Sequence, residues 1–99
     1  MNLKTEIINY LLSNKNRYKK EFHLTKIGIF GSVARDDFSD NSDIDLMVEF
    51  EDNANDLYSI KETLRNEIGE HFNRKVDICR EKYIKPILKT QILSETLYV

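Results

Sequence analysis

Two short apolar runs, one ending at Phe30 and the other spanning Ile44 to Phe50, leave this chain little freedom in how it folds. The first stops at Gly31-Ser32, and the second is entered through Asp43 and Asp45, separated by one residue. Gly31 breaks a strand that runs from about Lys26, and Ser32 is a good N-cap for a brief helix from Val33 to about Asp37. Phe38 to Ser42, rich in Ser, Asp and Asn, then reads as a loop. In the second run Ile44, Leu46, Val48 and Phe50 point one way, and Asp43, Asp45, Met47 and Glu49 point the other. The apolar set faces a core, so both carboxylates fall on the opposite side of the strand.

The remaining periodicities supply the elements around this unit. Leu3, Ile7, Ile8, Leu11 and Leu12 recur at helical spacing, predicting an amphipathic first helix that extends into the basic stretch before Phe22. Leu57, Ile60, Leu64, Ile68 and Phe72 predict another helix, with Asn55 or Asp56 available as its cap. Lys75 to Arg80 reads as a third strand, with Val76 and Ile78 on one face and Asp77 on the other. If that strand neighbours the second, Asp77 joins the face that carries Asp43 and Asp45. Pro86 suits the first turn of a last helix, for which Ile87, Leu88, Ile92, Leu93 and Leu97 supply an apolar face. That face is expected to close the domain's own core, leaving Tyr98 and Val99 to meet a partner. The expected fold class is α+β, a short mixed sheet of about three to four strands flanked by helices, in one domain over 1–99.

Size and charge narrow the function. A chain of 99 residues buries roughly 60–65% of its unfolded surface, so the core is modest. The charged fraction of 32% exceeds the usual value of about 25%, so much of the surface is solvated helix or reserved for a partner. A net charge of −2 gives no basic field to attract a nucleic-acid backbone. The local cluster of Lys15, Arg17, Lys19 and Lys20 falls near the end of the first helix, where cations complement the helix dipole. Cys79 is the only cysteine, which forbids an intrachain disulfide. There is no apolar signal segment and no run long enough to span a bilayer, which points to a cytoplasmic protein without membrane contact. His23 and His71 have no metal-ligand spacing and are expected at the surface.

The chemistry follows from the carboxylates. Side chains two apart on a strand lie on one face, roughly 6.5–7 Å apart along the chain, so Asp43 and Asp45 can both reach one or two divalent ions. Oxygen ligands favour Mg2+ or Mn2+ over zinc, and Mg2+ commonly takes one or two carboxylates together with substrate phosphate oxygens. Two ions about 3.5–4 Å apart clamp the attacking and leaving oxygens of an in-line displacement, an arrangement that calls for a third carboxylate. Asp77 is the candidate, either completing the ion shell on the nucleophile side or taking the proton of the attacking hydroxyl. Gly31 permits close approach of backbone to an anion, and the N–H groups after Ser32 suit terminal phosphates. Arg35 either adds a charge-assisted phosphate contact or pairs with a nearby Asp. A calcium loop over Asp40 to Glu51 fails, because Ile44 holds its fifth position and Asp45 replaces the glycine of its sixth. A P-loop fails for want of its G-K-[ST] ending.

G-S-V-A-R, a short polar loop, S-D-I-D-L-M-V and a later V-D-I together resemble the minimal nucleotidyltransferase (MNT) family, within the polymerase-beta-like nucleotidyltransferase superfamily. The ending K-P-I-L-K-T-Q-I-L-S-E-T-L-Y-V is similar to that family's closing segment. The resemblance implies a small polymerase-beta-like fold and an antitoxin that acts on a HEPN-domain ribonuclease toxin in a hetero-oligomer. The implied reaction is transfer of AMP from ATP to a tyrosine hydroxyl of that toxin. Gly31 and Ser32 would hold the triphosphate, and Asp43, Asp45 and Asp77 would bind two Mg2+ ions. The alternative is a catalytically weak antitoxin that neutralises its toxin by binding alone. A small-molecule nucleotidyltransferase like those that modify aminoglycosides is disfavoured, since no added domain remains to hold the acceptor. One residue departs from the family pattern: Asp36 stands where glycine is usual, with Asp37 beside it. A like charge about 8 Å from the phosphates costs on the order of 2 kcal/mol at an effective dielectric of about 20. The two side chains must point away, or nucleotide binding is weakened.

Overall fold

A computed structural model describes residues 2–99. Helix α1 (Leu3–Phe22) starts where the Asn2 side chain accepts the Thr5 amide at 2.9 Å and stops at His23, whose φ of 58° is left-handed. Then come β1 (Leu24–Phe30), α2 (Gly31–Ala34), β2 (Ile44–Phe50), α3 (Leu57–Phe72), β3 (Val76–Arg80), a 3₁₀ turn (Glu81–Tyr83), α4 (Pro86–Glu95) and β4 (Leu97–Tyr98). The strands form one mixed sheet in the order β3-β2-β1-β4. β1 is antiparallel to both β2 and β4, whereas β2 and β3 run parallel, with α3 as their crossover.

Burial follows the sequence periodicity on the face covered by α1 and α3. Ile7, Leu11 and Tyr18 from α1 and Leu64 and Ile68 from α3 pack with Ile27, Ile29, Ile44, Leu46 and Val48 of the sheet. Tyr18 reaches the core with its ring while its hydroxyl donates to Glu67 at 2.6 Å, and Arg17 donates to the same carboxylate at 2.6 Å. Arg17 is thus committed to joining α1 to α3, and Lys19 and Lys20 occupy the last turn of α1, as the dipole argument expects.

The differences from expectation lie at element ends and on the second face. α2 begins at Gly31, with Phe30 at the cap position, so Ser32 sits inside the helix and caps nothing. Asp56 occupies the cap position of α3, but its side chain makes no capping bond. Met47, read as facing away from the core, is fully buried, because β2 is an inner strand covered on both faces. The final helix ends at Glu95, and Leu97, expected in that helix, forms β4 with Tyr98. Gly28 makes this pairing possible: a Cβ there would lie 2.5 Å from the Leu97 carbonyl oxygen. Val99 extends the strap by donating its amide to the Ile27 carbonyl at 3.0 Å. α4 contributes no fully buried residue, so its apolar face only partly closes the core. Among the described residues no helix is long and apolar enough to cross a membrane.

Candidate active site

Asp45 lies between two strands that bring it the rest of the site. Across the antiparallel pair it faces Phe30, the residue just before Gly31, and across the parallel pair it faces Asp77. The pairing predicted for Asp77 therefore exists, in direct register. Asp43 sits one residue ahead of β2, and the Lys75 ammonium lies 4.0 Å from its Oδ2.

The half-buried Asp45 carries the electrostatic signature of a crowded carboxylate. Burial pushes its pKa up, the negative charges of Asp77 and Asp43 push it further, and Arg35 offsets part of the rise. Such a carboxylate is short of a cation. Among the described residues no group of three or more His, Cys, Asp or Glu is already drawn together for an ion. The donor set nevertheless fits Mg2+: oxygen ligands only, and mutual repulsion that a divalent ion would relieve.

Gly31 serves Asp45 directly. Its φ of +72° is left-handed, and a Cβ on it would overlap Oδ2 of Asp45 and come within 3.1 Å of Cγ. Glycine is needed here for conformation and for the space of the Asp45 carboxylate, where sequence reasoning assigned it to ending the strand and to anion approach. Ser32 follows as the second residue of α2, so its amide is among those at the helix start that have no carbonyl partner within the helix.

Arg35 pairs with acids, as the second of its two sequence readings has it. Its Nε lies 3.1 Å from Asp37 Oδ2, and its Nη1 lies 3.1 Å from Glu95 Oε1. Asp36 adopts φ 64°, the left-handed region in which glycine is at ease, which gives a physical reason for glycine at this position. Its carboxylate is held by Lys4 at 3.0 Å. Asp36 and Asp37 are thus each paired with a cation, which offsets part of the penalty that their charges threatened. Glu95 and Lys4 were invisible as site residues in the sequence, because only the tertiary fold brings either end of the chain to α2.

These features can be set beside known proteins. The sequence profile of the nucleotidyltransferase domain matches residues 10–99. A Methanocaldococcus jannaschii protein that provisionally bears the name protein adenylyltransferase is 33% identical over 96 residues, covering 96% of each chain. The protein adenylyltransferase MntA of Thermococcus cleftensis is 29% identical over 94 residues, covering 95% of this chain and 93% of that protein. A solved structure, provisionally a minimal nucleotidyltransferase, superposes with a TM-score of 0.75 at 29% identity, over 98% of this chain and 95% of that one. A chain of a toxin–antitoxin complex solved with AMP-PNP shares the fold at a TM-score of 0.66 and 22% identity, over 98% of this chain and 72% of that one. With Gly31-Ser32 closing β1 beside the Asp45–Asp77 pair, and a profile match across nine-tenths of its length, the chain belongs to the nucleotidyltransferase domain family, of the minimal type.

Proposed function

We propose that this protein is a protein adenylyltransferase of the antitoxin type, which transfers AMP from ATP to a tyrosine hydroxyl of a HEPN-type ribonuclease toxin and so silences it. The observation that carries the reading is the register of Asp45 with Asp77 beside the Gly31-Ser32 turn. The names of the M. jannaschii and T. cleftensis relatives support AMP transfer to protein, and the complex solved with AMP-PNP supports a toxin partner and an adenine nucleotide. A hetero-oligomer in the cytoplasm suits such a pair.

In this reading Asp43, Asp45 and Asp77 would hold two Mg2+ ions, with Mn2+ as a substitute. Bound there, such ions neutralise phosphate charge and lower the pKa of an attacking hydroxyl. The chain supplies the rest. The amides after Gly31 and the Ser32 hydroxyl receive the terminal phosphates, and Arg35 exchanges Glu95 for a phosphate oxygen. Asp77 takes the proton of the tyrosine hydroxyl. The tyrosine oxygen forms a bond to the α-phosphorus, the bond between the α-phosphorus and the bridging oxygen breaks, and pyrophosphate leaves. Incubation with labelled ATP, Mg2+ and the neighbouring gene's product labels that partner, and Asp45→Asn abolishes the label. Persistent labelling in the variant would refute the role given to Asp45.

The alternative, neutralisation by contact alone, draws on the exposed apolar positions of α4, where Ile87 is 89% exposed. Its test is toxin protection in cells by Asp43→Asn/Asp45→Asn at normal expression. Full protection would make catalysis dispensable.

A further inference from the structure

Arg74 differs from the other arginines of the chain in what holds it. Arg17, Arg35, Arg65 and Arg80 each face a carboxylate. Arg74 is held by neutral groups instead: its Nη1 donates to the Ser39 carbonyl at 3.0 Å and to the Ser42 carbonyl at 2.8 Å. Its guanidinium also lies over the Phe38 ring, 6.0 Å from the centroid. All three partners belong to the loop that delivers Asp43.

That loop closes a turn on itself. The Ser42 amide donates to the Ser39 carbonyl at 3.1 Å, and the Ser39 amide donates to Ser42 Oγ at 2.8 Å. These bonds fix the shape of the turn, whereas Arg74 ties it to the rest of the fold. On the other side of Asp43, the Ile44 amide donates to the Lys75 carbonyl at 2.9 Å. Asp43 is therefore held from both sides by consecutive residues, through Arg74 before it and Lys75 after it. Those residues are themselves anchored. Asn73 ends α3 with a left-handed φ of 53°, and the Arg74 amide donates to the Gly69 carbonyl at 3.1 Å. The chain then enters β3, where Asp77 is the second residue.

We propose that Arg74 is a positioning residue for the ion site: by clamping the Ser39–Ser42 turn it fixes Asp43 relative to Asp45 and Asp77. The proposal rests on the reading of Asp43 as an ion ligand, and it adds a residue outside the three carboxylates and the phosphate turn. One short segment then places the first carboxylate and carries the third. Arginine suits the task because its planar group offers N–H directions that are fixed relative to one another, whereas a lysine ammonium rotates on a flexible stem.

Arg74→Met removes both bonds and keeps an apolar stem to cover Phe38. In the intact protein without metal or nucleotide, amide exchange followed by NMR should show the Ser39 and Ser42 amides losing protection. Titration with Mn2+ alone, read by electron paramagnetic resonance, should show affinity lowered about 10–100-fold, the usual cost of removing a group that orients a metal ligand. Arg74→Lys, which keeps its donors, should fall between the wild type and Arg74→Met. Arg17→Ala, which cuts a tie between α1 and α3, controls for lost stability and should bind Mn2+ as the wild type does. Arg74→Met/Asp43→Asn should bind no more weakly than Asp43→Asn, since Arg74 acts through Asp43. Wild-type Mn2+ affinity in Arg74→Met would overturn the proposal, as would an equal loss in Arg17→Ala or a further loss in the double variant. If the wild-type protein binds no Mn2+, the ion reading of the carboxylates fails. The exchange measurement then decides alone, and unchanged protection of Ser39 and Ser42 in Arg74→Met overturns the role given to Arg74.

Discussion

Oδ2 of Asp45 occupies the space that a side chain on Gly31 would need. Gly31→Ala therefore meets two penalties, a left-handed φ and a displaced carboxylate. Strain of this kind costs about 1–3 kcal/mol, so the variant is expected to melt lower than the wild type and to lose AMP transfer. Urea unfolding followed alongside a transfer assay checks both. Unchanged activity would separate Gly31 from the seating of Asp45.

Asp45 itself trades stability for charge. Its folded-state pKa lies above the ordinary value of 3.8, so the native state holds the proton more tightly than the unfolded chain does. Its ionisation then opposes folding, and stability falls as pH rises from 3.8 through the folded-state value. Asp45→Asn should be at least as stable as the wild type at pH 7 without Mg2+. Adding Mg2+ should raise the wild-type Tm, since an ion at 100 times its Kd adds about 2.7 kcal/mol, and leave the variant's Tm nearly unchanged. Calorimetry with and without Mg2+ tests the pair of expectations.

The Lys4–Asp36 ion pair predicts an asymmetry between two surface variants. Asp36→Gly relaxes a left-handed residue and loses an exposed ion pair worth about 0–1 kcal/mol, so stability and ATP affinity both change little. Lys4→Ala leaves the Asp36 charge unmatched near the phosphate site, and ATP affinity should fall several-fold, most clearly at low salt. Titration of ATP into both variants at two salt concentrations measures this.

Arg35 is shared between Asp37 and Glu95, and a phosphate must compete with both. Glu95→Gln removes one competitor and should tighten ATP binding by a few-fold, whereas Arg35→Ala should weaken it. The double variant should behave like Arg35→Ala, because Glu95 is argued to act through Arg35. Binding isotherms for the three variants give the coupling directly.

Glu67 ties the core to its pH dependence. Burial works to raise its pKa, but the hydrogen bonds from Arg17 and Tyr18 prevail and hold it below the ordinary value of 4.5. Its contribution is therefore present above pH 4.5 and is lost as pH falls through the folded-state value. Glu67→Gln should cost about 1–3 kcal/mol at pH 7, the usual worth of hydrogen bonds to a charged group. The gap from wild type should narrow as pH falls below 4.5 and through the folded-state value. Urea unfolding at pH 7 and at a series of acid pH values reads it.

Much of this was legible because the determining features are local. The alternation in β2 placed Asp43 and Asp45 away from the main core, Gly31 ended β1, and the parity of Val76, Asp77 and Ile78 put the third carboxylate on the matching face. What escaped depends on tertiary context. Met47 reads as an outward residue until α4 is known to lie over it, and Leu97 reads as helical until Gly28 is seen to open a slot for β4. Arg35 has no readable partner in the sequence beyond nearby acids, because Glu95 reaches it only when α4 folds back.

The parallel register of Asp45 with Asp77 also determines when the site comes into being. The two strands are joined through the 16-residue α3, so the pair can form only after that helix has folded back and the loop between them has been closed. The half that ends at Phe50 carries the Gly31-Ser32 turn, Asp43 and Asp45 and lacks only the third carboxylate. A single proteolytic cut between Phe50 and Val76 would leave every functional side chain chemically intact and still divide the centre between two fragments. Assembly of the centre therefore depends on a connecting segment that carries none of the three carboxylates.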